Sequence, residues 1–518
     1  GAAMEREFDY GKLKDPQYFR DGRLDAHSDH RYYGSVLDME ADYEDFKESL
    51  NGLWKFHYAR NYKSAVRGFE KTDYCCKDWD DIHVPAHIQM EGYDVPQYAN
   101  VQYPWEGHDE IEPGEIPEYF NPVASYVKYF NVPERMKGRR LFISFQGAES
   151  GLALWLNGAF VGYSEDSFTP SEFELTDYLV EGENKLSAQV FKWTASSWCE
   201  DQDFYRFSGI YRDVYLYTVP DVHVRDLKIC AIPDETLKKA AFDIRMEMIS
   251  QEKPEGKAVI RLTKDGSKII EEELALGTEV SHSWTVDEPE LWSAEEPKLY
   301  DLTIEIYNAA GELMEVIPEK VGFRRFEMKD HIMTLNGRRI VFKGVNRHEF
   351  SSVSGRYVSE AELRKDLETM KRSNINAIRT CHYPDGSLIY RLCDEHGLYL
   401  IDETNLESHG TWDTAMMTGD KSRVVPNDRQ EWLDMMLDRV NSIYQRDKNH
   451  ASILIWSCGN ESYGGSVIFH MSEQFRRLDP GRLVHYEGIS QDRRYNDTSD
   501  MESQMYTSVE QISDFLKE

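Results

Sequence analysis

The hydrophobic period of this 518-residue chain changes once, near residue 326. Before that point apolar and polar residues alternate in short runs, as in KLSAQVFKW (185–193), which is typical of strands with one buried face. After it, apolar strand-sized runs are separated by stretches such as 432–440, where apolar residues recur every fourth position. We therefore predict antiparallel β domains followed by a parallel α/β domain.

The β region divides into two blocks. Residues 1–220 are predicted to form a jelly-roll β-sandwich of the sugar-binding type with an N-terminal extension, because short alternating strands are separated by turn signals. Residues 221–325 are predicted to form an immunoglobulin-like β-sandwich, since the runs 242–248 and 300–306 both alternate with period two.

Residues 326–518 are predicted to form a (β/α)8 TIM barrel. No Gly-rich phosphate loop follows the first strand, and the predicted strands end instead in the polar clusters RHE, HYP, ETNLESH and GNES. The first helix is predicted to begin at Ser359, capped together with Glu362. Only six strands are counted, so the barrel is expected to be incomplete. They lie in 338–346, 376–384, 398–410, 452–462, 483–488 and 501–508.

Composition excludes several kinds of partner. The chain has 60 Lys and Arg against 93 Asp and Glu, a net charge of −33, which opposes binding to nucleic acid or anionic lipid. No apolar run approaches the 18 residues of a membrane span. Seven cysteines at irregular spacing, with no C-x-x-C pair, fit a reduced cytoplasm.

Glu461 is the strongest candidate for a catalytic residue. It follows the apolar strand ending at Trp456, and a carboxyl group partly desolvated at a barrel mouth suits a general acid. The alternative is a surface Glu that caps the next helix. Glu407 and His409, two residues apart in an extended segment, could ligate Mg²⁺ or Mn²⁺ with Glu461, although this spacing also occurs by chance.

For three further residues at strand ends, and for one segment, the sequence allows either a functional or a structural role. His348 and His382 could bind substrate hydroxyl groups or be structural, and Arg379 could orient a carboxylate or belong to a charged layer inside the barrel. In the block 196–214, Asp201 and nearby aromatic residues could reach a sugar across a domain boundary, or form a loop packed on an aromatic core.

Together these segments resemble the bacterial β-galactosidases of glycoside hydrolase family 2, over nearly the whole chain. β-Glucuronidases and β-mannosidases of the same family are less similar. The motifs that carry the resemblance include NVQYPWEG (100–107), EDQDFYRFSGIYRDV (200–214), KGVNRHEF (343–350), DETNLESHG (402–410) and SCGNES (457–462).

The resemblance implies a retaining hydrolase of terminal β-D-galactosides such as lactose, with Glu461 as general acid/base and Asn460 on the sugar 2-hydroxyl. It implies Mg²⁺ held by Glu407, His409 and Glu461, and possible Na⁺ at Asp201. The remaining substrate-binding residues that it implies are Asn100, Asp201, His348, His382, Tyr506 and Arg379, the last orienting the nucleophile.

One departure from the family pattern is large. Retaining glycosidases need a second carboxylate about 5 to 5.5 Å from the first, and the family's nucleophile segment is absent after Glu461; neither Glu487 nor Glu502 matches it. We therefore expect a fragment that needs its C-terminal part, associating with that part or as a homo-oligomer. The alternatives are an inactive carbohydrate-binding fragment and a relative of other specificity, such as a β-glucuronidase.

Overall fold

The computed structural model describes residues 6–94, 97–99, 112–200, 204–330, 332–349, 356, 358–380, 383–406, 424–459 and 465–486. In this part of the chain the two predicted sandwiches are followed by an α/β unit with a parallel sheet. None of the described helices is long and apolar enough to cross a membrane.

The first sandwich packs a seven-stranded antiparallel sheet, in the order β1-β10-β9-β12-β6-β3-β4, against a four-stranded sheet, β11-β7-β15-β2. The apolar face of β12 is as predicted, because Leu186, Ala188 and Val190 are buried in the core between the sheets. The expectation of one exposed face is wrong for this strand, since Ser187 and Gln189 on the polar face are buried too. The strands are β1 (Arg20–Asp21), β2 (Lys47–Ser49), β3 (Gly52–Ala59), β4 (Asp80–Val84), β5 (Gln97–Ala99), β6 (Val123–Asn131), β7 (Leu141–Phe145), β8 (Ala148–Glu149), β9 (Gly151–Leu156), β10 (Ala159–Glu165), β11 (Ser171–Glu174), β12 (Glu183–Phe191), β13 (Phe204–Arg206), β14 (Gly209–Ile210) and β15 (Val214–Thr218), with one short α-helix, α1 (Val36–Glu40).

The second sandwich pairs the sheets β16-β17-β20 and β19-β18-β21-β22. Its core is the predicted one, since the apolar faces of β17 and β21 are buried against each other. Its strands are β16 (Val222–Pro233), β17 (Lys239–Ser250), β18 (Lys257–Lys264), β19 (Ser267–Ala275), β20 (Glu279–Asp287), β21 (Tyr300–Tyr307) and β22 (Leu313–Val321).

The α/β unit contains five described parallel strands in the order β26-β27-β28-β29-β30. Five of the six predicted barrel strands are therefore confirmed, while the sixth, 501–508, lies outside the described residues. The elements are β23 (Phe326–Lys329), β24 (Ile332–Leu335), β25 (Arg338–Arg339), β26 (Gly344–Arg347), α2 (Glu360–Arg372), β27 (Ala377–Thr380), α3 (Leu388–His396), β28 (Tyr399–Glu403), α4 (Leu433–Asp447), β29 (Ile453–Ser457), α5 (Ser466–Leu478) and β30 (Leu483–His485).

Local signals place the helices as predicted. The Ser359 hydroxyl group accepts a hydrogen bond from the Glu362 N–H and caps α2. Leu363 and Leu367 then face the core. In and just before α4, the side chains of the predicted apolar face are buried in the same core; they are Trp432, Met436 and Val440.

The first barrel strand is shorter than predicted. Arg338 and Arg339 pair with β24 through a tight turn at Asn336 and Gly337, both with positive φ, so the parallel strand begins only at Gly344. Asn-Gly is the strongest short signal for such a hairpin, and it was present in TLNGRR (334–339).

The N-terminal segment 20–33 contacts all three units, which the sequence did not predict. It contributes β1 to the first sandwich, and Arg23 Nη2 donates a 2.6 Å hydrogen bond to Asp438 Oδ1 on α4. Tyr33 pairs with Val316 of the second sandwich. The segment therefore ties the sandwiches to the barrel.

A buried charge cluster strengthens this contact. His450, which follows α4, bonds through Nε2 to Asp29 Oδ2 at 2.7 Å and through Nδ1 to Asp394 Oδ2 at 2.6 Å. Burial opposes protonation of His450, but the two carboxylates outweigh it and hold its pKa well above the usual 6.5.

We expect this raised pKa to make stability depend on pH. The folded protein keeps the His450 proton after the unfolded chain has lost its own, so the contribution is complete below about pH 6.5 and is lost as the pH rises through the folded pKa. His450→Gln should therefore lower the free energy of unfolding by about 3–5 kcal/mol at pH 6, and by less at pH 9. Urea unfolding across this range measures the difference; His470→Gln, on the surface of α5, is the control. An equal cost at both pH values would contradict the assignment.

Candidate functional site

The carboxyl ends of the five parallel strands meet at one edge of the sheet. Asn346 on β26 lies beside Arg379 on β27, and Glu403 on β28 lies beside Ser457 on β29. Ser457 is next to His485 on β30. The polar strand ends found in the sequence are therefore brought together, at the edge where barrel enzymes place their active sites.

A buried ion pair lies at the centre of this edge. Arg379 Nε donates a 2.7 Å hydrogen bond to Glu403 Oε2, and both side chains are 0% exposed. The same carboxylate oxygen accepts a 2.8 Å hydrogen bond from Ser457 Oγ. Arg379 is thus held by Glu403 on β28, and the Glu403 carboxylate is in turn fixed by Ser457 on β29.

Strand alternation separates Glu403 from its neighbour. Asp402 points to the opposite face of the sheet, where its Oδ1 accepts a 2.8 Å hydrogen bond from the Tyr390 hydroxyl group on α3. Burial and the nearby Asp447 raise the pKa of Asp402 well above its usual range. Asp402 therefore belongs to the layer between strands and helices, and Glu403 to the candidate site.

The segments that lead to the predicted metal ligands touch each other. Gly459, with φ of +131°, packs so closely on Leu406 that a Cβ atom there would lie 2.7 Å from the Leu406 Cβ. Glu407 follows Leu406 directly, and Glu461 comes two residues after Gly459. A glycine is required because no side chain fits between the two strand ends.

The predicted ligands and acid lie just beyond these points. Among the described residues, no group of three His, Cys, Asp or Glu side chains could hold a metal ion. The donor set of two carboxylates and one imidazole suits a hard cation such as Mg²⁺. Outside the described residues are Glu407, His409, Asn460, Glu461, His382 and Tyr506.

His348 follows β26 at the same edge and is half-buried. Its ring centroid lies 6.4 Å from that of Tyr383, the residue after His382. Tyr383 in turn stacks on Phe168 of the first sandwich at 4.1 Å. The segments that carry the two predicted histidines are therefore neighbours, and the first sandwich packs against them.

The strands next to the two contributions predicted from the first sandwich pair with each other. Strands β5 and β13 pair antiparallel, with Ala99 opposite Phe204. In the sequence, Asn100 follows the first of these residues and Asp201 precedes the second by three positions. Asn100 and Asp201 themselves lie outside the described residues.

Several residues at the boundary between sandwich and barrel were missed by the sequence analysis. Arg212 Nη2 on the sandwich donates a 3.1 Å hydrogen bond to Glu349 Oε1, which follows His348. Glu200 of the sandwich contacts Asn405 and Arg439 of the barrel. Glu200, Glu349 and Glu403 lie in the motifs 200–214, 343–350 and 402–410, but no local pattern distinguishes an interdomain carboxylate from a surface one.

Models of three domains of one family match the chain in series. A glycosyl hydrolase family 2 sugar binding domain matches residues 47–220, a second family 2 domain matches 222–324, and a family 2 TIM barrel domain matches 326–518.

Individual relatives agree. A β-galactosidase of Halalkalibacterium halodurans is 51% identical over 507 residues, which cover 97% of this chain and 50% of that protein. A β-galactosidase large subunit of Latilactobacillus sakei is 40% identical over 518 residues, covering 97% of this chain and 82% of that subunit. The chain thus spans about half the length of the first relative and most of the second.

A solved structure supports the fold independently. A β-glycosidase from Bacteroides vulgatus superimposes with a TM-score of 0.67 at 25% identity, over 85% of this chain and 54% of that one. Since the domain models, the sequence relatives and the fold agree over nearly all of its length, this chain belongs to glycosyl hydrolase family 2.

Proposed function

We propose that this chain forms the larger part of a retaining β-galactosidase active site and hydrolyses terminal β-D-galactosides, such as lactose, together with a complementing C-terminal part. The observation that carries the proposal is the close packing of Leu406 on Gly459, beside the buried Arg379–Glu403 pair. The name β-galactosidase, given to relatives that are 51% and 40% identical, supports the choice of sugar.

In this proposal Glu461 protonates the aglycone oxygen and later removes a proton from the attacking water. Asn460 binds the sugar 2-hydroxyl, and Arg379 orients the nucleophilic carboxylate that the complementing part supplies. The other proposed sugar contacts are Asn100, Asp201, His348, His382 and Tyr506.

Mg²⁺ is proposed to bind Glu407, His409 and Glu461, where it supplies a positive charge close to the acid/base carboxylate. Na⁺ is proposed at Asp201. The six described cysteines are free thiols, and we propose the cytoplasm as the compartment because it keeps thiols reduced.

The described sheet offers a place for the complementing part. β26 and β30 are the first and last strands in the described order of the parallel sheet, which has five strands where a complete barrel has eight. Ile332 and Val341, beside the first strand, are 38% and 43% exposed. Strand edges and exposed apolar side chains are what a polypeptide that closes a barrel would cover. A relative named as a large subunit supports such a partner; a homo-oligomer is the proposed alternative.

The test is hydrolysis of an aryl β-galactoside with Mg²⁺ by this chain, by the C-terminal part of a family 2 β-galactosidase, and by their mixture. We expect turnover only in the mixture, because each part holds one of the two carboxylates. An aryl β-glucuronide is the control substrate, and its preferred cleavage would contradict the galactosidase assignment. Turnover by this chain alone would contradict the proposed division of the site. Galactoside binding without turnover in the mixture would favour a carbohydrate-binding fragment.

A further inference from the structure

Glu200 is a buried carboxylate at the boundary between the first sandwich and the barrel. On the sandwich side, its Oε2 accepts hydrogen bonds from Ser150 Oγ at 3.2 Å and from Ser167 Oγ at 3.1 Å. The side chain is only 6% exposed. It is therefore fixed to the sandwich core rather than lying on a loop surface.

The same carboxylate reaches two elements of the barrel. Its Oε1 accepts a 2.8 Å hydrogen bond from Asn405 Nδ2, just past the end of β28, and one of 3.1 Å from Arg439 Nη2 on α4. Arg439 Nη1 also donates to the backbone carbonyl oxygen of Asn405. Sandwich, strand end and helix thus meet at one carboxylate.

Both charges of this contact are withdrawn from water. The side chains of Arg439 and Glu200 are 1% and 6% exposed, and their 3.1 Å ion pair must offset the hydration that both have lost. A buried ion pair contributes little net stability compared with apolar packing, and its best attested use is to specify one geometry. Since Glu200 belongs to the first sandwich and Arg439 to the barrel, the geometry in question is the placement of the sandwich on the barrel.

Glu200 directly precedes Asp201, and Asn405 comes two residues before Glu407. We propose that Glu200 is a positioning residue for galactoside binding, which holds the first sandwich in register with the end of β28, the third barrel strand, through Asn405 and Arg439. This inference rests on the proposed function. The first sandwich then acts as part of the galactoside-binding site, through a carboxylate that need not touch the sugar.

The test uses Glu200→Gln in the mixture with the complementing part. The change keeps the shape of the side chain but leaves the Arg439 charge unpaired. Glu172→Gln is the matched control: Glu172 is a buried carboxylate of the same sandwich whose bonds go to His27 and Tyr217. Two readouts are needed, KM and kcat for an aryl galactoside, and the Kd of a non-hydrolysable alkyl β-thiogalactoside.

We expect Glu200→Gln to raise both KM and the thiogalactoside Kd about tenfold, as the loss of one well-placed polar contact does. Glu172→Gln should lower the melting temperature but change neither value by more than about twofold. Asn405→Ala should weaken galactoside binding to a similar extent. In the double variant Glu200→Gln/Asn405→Ala the loss should be clearly smaller than the product of the two single losses, because both changes break the same link.

Two outcomes would overturn the inference. One is a Glu200→Gln variant whose KM and thiogalactoside Kd are unchanged. The other is a double variant, Glu200→Gln/Asn405→Ala, whose loss of binding equals the product of the two single-variant losses. Failure of the proposed function is seen separately, because the unsubstituted mixture would then not cleave the galactoside.

Discussion

Glu461→Gln is expected to lower kcat of the complemented enzyme by about 10²- to 10⁴-fold for aryl β-galactosides with poor leaving groups, the usual contribution of a general acid. The amide cannot protonate the departing oxygen. Substrates with strongly acidic phenols need no such proton, so their first bond cleavage should be affected far less. A plot of kcat/KM against leaving-group pKa measures the difference, because kcat/KM reports the first bond cleavage and not the later attack of water, in which Glu461 acts as the base.

The leaving-group dependence separates acid catalysis from a metal-binding role. If Glu461 only held Mg²⁺, its loss should lower the rates for all leaving groups alike, and added Mg²⁺ should restore them. Glu473→Gln, on the exposed face of α5, is the control and should leave kcat unchanged. An equal loss across all phenols would remove Glu461 as the acid, although the family membership would stand.

Glu403→Leu is expected to destabilise the chain by about 3–5 kcal/mol, because it removes a buried carboxylate that pairs with the guanidinium group of Arg379, which is 0% exposed. Urea unfolding measures this cost. In the double variant Arg379→Met/Glu403→Leu both charges are gone, and we expect most of the stability to return, since apolar pairs of similar volume can replace buried ion pairs.

Activity should not return with the stability. If Arg379 orients the nucleophile, the double variant mixed with the complementing part folds but lacks that contact, and kcat/KM should stay at least about 100-fold low. Recovery of both stability and activity would mean that the pair is structural only. The double variant thus distinguishes a positioning role of Arg379 from a purely structural one, even if Glu403→Leu alone fails to fold.

Much of the fold could be predicted because local periodicity and burial are directly linked. The buried faces of β17 and β21 follow from strict alternation, and the start of α2 follows from Ser359. The shorter β26 was missed although its signal, Asn336-Gly337, was present, because the apolar residues 340–342 joined the second strand of the hairpin to the parallel strand in one apparent run. The buried strand faces, the helix start and the hairpin each depend on residues that are close together in the chain.

The candidate site was predicted in part for a similar reason. Strand-end positions mark residues such as His348 and Arg379, since parallel strands all present their carboxyl ends at one edge. The partners of those residues could not be predicted. Glu403 stands in a quoted motif, but only the packing of β27, β28 and β29 shows that it holds Arg379.

The sequence by itself determined the order of two sandwiches and a parallel α/β unit, the family, and the strand ends at which the chemistry is proposed. Only the tertiary structure decided that Asp29 binds His450 and that Glu200 binds Arg439, pairs 421 and 239 residues apart. The physical reason is that periodicity records which face of an element is buried, whereas a buried charge is identified only by the distant partner that offsets its desolvation.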